Sequence, residues 1–112
     1  MKKIEAIIKE EKLDAVRTAL EEKGFIGLTV SEVSGRGSQK GISLQWRAGE
    51  YRVDFLPKIK LEAVVDDKDC DTVVAIICRV ARSGNVGDGK IFVLPVENAV
   101  RVRTGEEGQC VI

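Results

Sequence analysis

From Lys3 to Ile8 the chain reads Lys-Ile-Glu-Ala-Ile-Ile, partly alternating and rich in β-branched residues, which predicts a strand. The period then lengthens. Leu13, Val16 and Leu20 stand at i, i+3 and i+7, the spacing of one helix face, and Gly24 stands where a helix closes on a left-handed glycine. Residues 25–33 return to strand content with Phe25, Ile26, Leu28, Val30 and Val33. From Ser34 to Tyr51 glycines recur at 35, 37, 41 and 49 with little sustained periodicity, and a long loop is expected. Loops of that length are uncommon in compact domains and usually functional. Ile59, Leu61, Ala63 and Val65 then alternate with Lys58, Lys60, Glu62 and Val64, predicting a strand with one buried face.

The clearest element is a second helix. Cys70, Val73, Val74, Ile77, Cys78 and Ala81 recur at helical spacing, Asp67 or Asp69 can cap its start, and Ser83-Gly84-Asn85 ends it. Residues 90–96 read as a strand, Val100 to Arg103 as a short extra strand, and residues 104–112 as a polar tail. The order βαββαβ is the ferredoxin-like α+β arrangement, an antiparallel sheet with two helices on one face, in a single domain spanning residues 1–112. In so small a domain the other sheet face needs a cover, and further copies of the chain would supply one.

Composition narrows the chemistry. Lys+Arg and Asp+Glu both number 18, so no global basic field points to direct nucleic-acid binding. There is no histidine, which removes the commonest general base and metal ligand. The three cysteines, Cys70, Cys78 and Cys110, are far apart with no CxxC pair, which fits reduced thiols better than a disulfide framework or zinc site. No apolar run is long enough to span a bilayer and no signal-peptide core is evident, so a cytoplasmic protein is expected.

Four clusters could carry chemistry. Gly87-Asp88-Gly89-Lys90 lies between a helix and a strand; its glycines free backbone N–H groups to approach an oxyanion and Lys90 adds charge, although such a sequence also suits a plain turn. Arg101 and Arg103, at i and i+2 of the last expected strand, would share a face and suit a polyphosphate, or else form a solvated face. Gly35-Arg36-Gly37-Ser38-Gln39-Lys40-Gly41 has a backbone able to wrap an anion, and Gln39 offers an oxygen to a hard cation. Lys58, beyond the loop, could pair with a ligand carboxylate or stay an exposed lysine. Trp46 and Tyr51, the sole Trp and Tyr, both fall in the loop and suit recognition or modification.

These pieces, in this order, resemble the PII nitrogen-regulatory signal proteins over essentially the whole chain. The likeness rests on Lys2 to Ile8, Thr29-Val30-Ser31-Glu32-Val33, Gly37-Ser38-Gln39-Lys40-Gly41, Glu50 to Lys58, Gly87 to Val93, and Arg101-Val102-Arg103-Thr104-Gly105-Glu106. It implies a homotrimeric, non-catalytic sensor of ATP, ADP and 2-oxoglutarate with nucleotide sites between subunits. Gly87, Asp88, Gly89 and Lys90 would cradle phosphates, with Gly35, Gly37, Ser38 and Gln39 nearby. Arg101 and Arg103 would reach in from a neighbouring copy, and Thr29, Glu62 and Val64 would surround adenine and ribose. Gln39 would hold a Mg²⁺ shared with ATP and 2-oxoglutarate, whose carboxylates would also meet Lys40, Gly41, Lys58 and Gly87. Residues 37–55 would be the flexible T-loop, with Tyr51 matching a tyrosine that some bacterial members have uridylylated. Partners implied are ammonium transporters, N-acetylglutamate kinase or other nitrogen-metabolism proteins, with membrane contact only through a transporter. Ser38 stands where many members carry a basic residue, and Gly49 where some have a phosphorylated serine. Slow ATP hydrolysis and a ferredoxin-like nucleic-acid module are the alternative classes; the second is disfavoured by zero net charge and few strand aromatics.

Overall fold

The computed structural model describes the backbone of residues 1–36, 42–46, 49–53 and 55–112, and the side chains of residues 1–36 and 55–112. The main elements are β1 (Lys2–Ile8), α1 (Leu13–Glu22), β2 (Thr29–Gly35), β3 (Ile42–Trp46), β4 (Gly49–Val53), β5 (Leu56–Val65), α2 (Asp67–Ala81) and β6 (Gly89–Pro95). Four strands form one antiparallel sheet in the order β2-β5-β1-β6. Each βαβ unit is split by the strand lying between its two ends, as the ferredoxin-like fold requires.

Alternation decides which face is dry. Ile4, Ala6 and Ile8 of β1 meet Ala63, Leu61 and Ile59 of β5 in register, and all are buried under the helices. The helices close this layer with Val16 and Leu20 from α1 and Cys70, Val73, Ile76, Ile77 and Ala81 from α2. The stripe on α2 is rotated slightly from the expected one, with Ile76 buried and Cys78 exposed. Among the described residues no strand lies beyond β6, and Val74 and Cys78 line an open pocket at that edge. α1 ends as its sequence predicts. Gly24 adopts φ +87°, its N–H donates to Glu21 O, and the Phe25 N–H donates to Leu20 O, a closed Schellman pair. Asp66, rather than Asp67 or Asp69, occupies the N-cap of α2, without a side-chain capping bond. Asp67 instead pairs with the Met1 ammonium at 3.1 Å.

Two other expectations change. The stretch read as an irregular loop from Ser34 to Tyr51 holds regular backbone. β2 continues to Gly35 opposite Leu56, and β3 pairs with β4 from Ile42↔Val53 to Trp46↔Gly49. Ile42, Leu44 and Trp46 alternate with Ser43 and Gln45, a strand signal that the flanking glycines obscured. Residues 37–41 and 47–48 of that loop expectation, and 54 of the expected 37–55 T-loop, lie outside the described residues.

The second change concerns Val100 to Arg103. They do not form a strand but a single bridge, Val100↔Glu107, followed by a turn. The Arg101 N–H donates to Glu106 O and the Gly105 N–H to Arg101 O, with Gly105 at φ +74°. Val102 is 100% exposed: no neighbouring strand is there to hold an extended Val-Arg-Val-Arg segment.

The sheet face away from the helices is built differently. Glu5 and Glu62 sit directly opposite each other, a repulsive arrangement that lysines resolve. Lys60 Nζ lies 2.8 Å from Glu5 and 3.4 Å from Glu62, and Lys3 Nζ lies 3.0 Å from Glu62. The hydrogen bond to Glu5 raises the Lys60 pKa, and the hydrogen bond from Lys3 lowers that of Glu62. Around these charges stand Phe92 and Leu94, half-exposed without a covering layer. No helix among the described residues is long and apolar enough to cross a membrane.

Candidate functional site

The turn from α2 into β6 is shaped by its glycines. Gly87 has φ +96° and Gly89 φ +110°, conformations side chains rarely adopt. At Gly89 space forbids one as well: an added Cβ would lie 1.7 Å from Ile7 O, because Gly89 pairs with Ile8 where β6 begins. Backbone therefore approaches backbone here, and the turn is fixed against β1.

Asp88 organises the other side of that turn. Its carboxylate accepts from the Ser83 N–H at 2.8 Å, the Gly84 N–H at 2.9 Å and the Ser83 hydroxyl, and pairs with Lys9 Nζ at 3.3 Å. These bonds, led by that of the Ser83 hydroxyl, hold the Asp88 carboxyl well below the usual carboxylate range. The carboxylate is thus spent on the start of its own loop.

Lys58 meets the turn from β5. Its Nζ donates to Gly87 O at 2.6 Å, joining the strand that leaves the 37–55 segment to the glycine turn. Lys58, Gly35, Gly87, Gly89 and Lys90, five of the residues expected at the site, line one groove of about 500 Å³. Arg36, from the glycine-rich cluster read as able to wrap an anion, also lines it; Ile7, Val33, Ser34, Lys60 and Phe92 complete the lining and were not anticipated. Two of them were legible: Lys60 stands at i+2 from Lys58, on the same face, and Ile7 is the register partner of Lys90. At the rim, Arg36 sits 5.7 Å from the centre of the Phe55 ring, closing the base of the 37–54 segment by a cation–π contact. Four cations on one groove, Arg36, Lys58, Lys60 and Lys90, beside a glycine turn, can hold a polyanion.

The remaining expected residues lie elsewhere. Thr29 and Glu62 are cross-strand partners, and Val64 follows on the same face. From Lys58 to Val64 is six residues of strand, about 20 Å at about 3.3 Å per residue. Arg101 and Arg103 belong to the segment after β6, which leaves the sheet where Val96 N–H bonds Met1 O and where the Gln109 side chain bonds Asp66. That end of the sheet is the one opposite Lys58 and Gly89. Arg101 is held there by Glu106 at 2.8 Å; among the described residues Arg103 has no such ion pair. The candidate residues thus run from the groove, through Glu62, whose carboxylate lies 3.4 Å from the groove-lining Lys60, to Val64 and the Arg101–Arg103 segment toward the other end of the sheet. Gly37, Ser38, Gln39, Lys40 and Gly41 lie outside the described residues, as does the Tyr51 side chain. Among the described residues no cluster of three or more acidic, cysteine or histidine side chains offers a metal site.

Comparison with known proteins places the chain in a family with this fold. The profile of the family described as "Nitrogen regulatory protein P-II" matches residues 1–106. The chain is 56% identical over 112 residues to nitrogen regulatory protein P-II 1 of Escherichia coli K12, covering all of both chains. It is 54% identical over 109 residues to nitrogen regulatory protein P-II 2 of Methanothermobacter thermautotrophicus, covering 97% of this chain and 95% of the relative. With that identity along its full length and the same antiparallel βαββαβ sheet that the sequence predicts, the chain belongs to the nitrogen regulatory protein P-II family.

Proposed function

We propose that the chain is a non-catalytic sensor that binds ATP or ADP, and 2-oxoglutarate together with MgATP, in clefts between the subunits of a homotrimer. The observation that carries this reading is the spread of the candidate residues along the sheet. One group supplies a glycine turn with Lys90 and Lys58 around a groove; Val64, about 20 Å along β5 from Lys58, Arg101 and Arg103 mark the other end, with Thr29 and Glu62 between. A nucleotide reaches both ends when a second copy brings its far end to the first copy's groove. The half-exposed Phe92 and Leu94 give the same face a reason to be covered.

In this arrangement the turn's backbone and Lys90 hold the phosphates, Arg101 and Arg103 of the neighbouring copy add charge, and Thr29, Glu62 and Val64 flank the base and sugar. Gln39 would help to hold Mg²⁺, which would supply positive charge to offset the repulsion between phosphates and 2-oxoglutarate. Asp88, already hydrogen-bonded and ion-paired, is not a free ligand for it. For the same reason Asp88 is a poor general base, which weighs against slow ATP hydrolysis. Lys58 exchanges its bond to Gly87 O for a ligand carboxylate, so occupancy is felt at the base of residues 37–55. That segment, with Tyr51 as a modification site, is the surface offered to partners in nitrogen metabolism, of which ammonium transporters and N-acetylglutamate kinase are the kinds the family resemblance suggests.

The test is calorimetric titration of 2-oxoglutarate with MgATP, with ADP and with no nucleotide. Binding only with MgATP is expected, together with a reciprocal tightening of MgATP by 2-oxoglutarate. Equal affinity in all three conditions contradicts the reading.

A further inference from the structure

The turn that lines the groove is held by side chains that do not line it. Lys9, the residue after β1, places its Nζ 3.3 Å from Asp88 Oδ1 and 3.3 Å from Ser83 Oγ. Ser83 in turn donates its hydroxyl and its N–H to Asp88, and its Oγ accepts the Asn85 N–H at 3.3 Å. The Gly84 N–H completes the set. One ammonium and one carboxylate thus tie the end of β1 to both ends of the 83–88 loop. Lys9 and Asp88 are each about four-fifths buried, 22% exposed at the side chain. The pair therefore holds its geometry better than an open surface ion pair.

We propose that Lys9, Ser83 and Asp88 are positioning residues for polyphosphate binding: they fix the backbone of Gly87 to Lys90 in its anion-accepting shape without contacting the anion. This rests on the nucleotide reading above and adds residues to it. Lys9 and Ser83 acquire a role, and the Asp88 side chain acts on the loop in place of the ligand. The geometry favours this over direct contact, because a carboxylate turned into the groove would repel phosphate, whereas here its oxygens are occupied by four donors. Gly84, Gly87 and Gly89 all have positive φ, and so flexible a run loses much entropy on being ordered.

Simple electrostatics and positioning predict opposite signs at one residue. If only the field at the groove matters, Asp88→Asn removes a negative charge near the phosphates and tightens binding. If Asp88 shapes the loop, Asp88→Asn weakens binding. The experiment titrates ADP and adenosine into the full-length parent, Asp88→Asn, Ser83→Ala, Lys9→Met and Lys9→Arg by calorimetry, with a melting curve for each. Expected is a loss of about tenfold in ADP affinity for Asp88→Asn and for Lys9→Met, the size of one charge-assisted hydrogen bond. A smaller loss is expected for Ser83→Ala and substantial recovery in Lys9→Arg, with adenosine affinity unchanged throughout. Asp88→Asn that binds ADP as tightly as the parent or more tightly overturns the positioning role while leaving the nucleotide site standing. Equal losses for adenosine and ADP, or a Lys9→Arg that recovers nothing, reduce the three residues to general stability and overturn it too. A parent that binds neither ADP nor ATP sinks the nucleotide reading, and the positioning role with it.

Discussion

Gly89 shows how one position joins folding to the site. Its Cα faces Ile7 O so closely that even a methyl group has no place, and its φ of +110° disfavours any side chain. Gly89→Ala must therefore push β6 off β1 or twist the turn. The backbone conformation alone costs about 1–3 kcal/mol. A lowered melting temperature together with lost ADP binding is expected in one variant, by thermal denaturation and calorimetry. Retention of both would mean that the strand start is not where it is placed.

Asp88 gives a prediction with a definite sign in pH. Its folded carboxyl pKa lies below the ordinary 3.8, so its contribution is fully present above that value. That contribution is lost as pH falls below 3.8 toward the depressed folded value. Amide hydrogen exchange at Ser83 and Gly84 should stay protected as pH is lowered from 7 to about 4, and protection should fail only under stronger acid. Loss of protection between pH 6 and 5 would contradict the hydrogen-bonded carboxylate.

At the scale of elements, the strongest periodicities were the most legible. The strict alternation from Lys58 to Val65 became β5 with every odd position buried, and Gly24 closed α1 as its place in the pattern implied. Leu61, fully buried at the centre of that strand, is therefore expected to carry much of the core. Leu61→Ala should cost about 2–5 kcal/mol in denaturant unfolding, against well under about 1 kcal/mol for Glu11→Ala on the surface. The failures have local causes. β3 hid among glycines that signal loops, although its five residues alternate cleanly. Arg101 and Arg103 looked like one strand face, but strand geometry needs a partner, and here a glycine turn and the Glu106 contact won. Of the candidate site, Gly35, Lys58 and the Gly87 to Lys90 turn could be named from residue type and order. Lys9 and Ser83 could not, because their contact joins positions 74 residues apart and no local pattern signals it.

At the scale of the whole molecule, the sheet has one dry face and one face that mixes an ion network with exposed apolar residues. In the proposed arrangement the groove of one copy and the arginine end of another form one site. A closed ring fits this, since each copy would present its groove to one neighbour and its arginine end to the other. The most direct test is subunit complementation. Lys90→Ala impairs the groove end and Arg101→Ala/Arg103→Ala the far end, and each variant alone should bind ADP at least about tenfold more weakly. When the two are unfolded together and refolded, random assortment in a ring should restore roughly a quarter of the sites to full affinity, because those pair an intact groove with an intact far end. Recovery of that high-affinity fraction in calorimetry is the predicted result. Mixed oligomers that form, as verified by mass, yet recover no high-affinity sites would contradict the shared cleft.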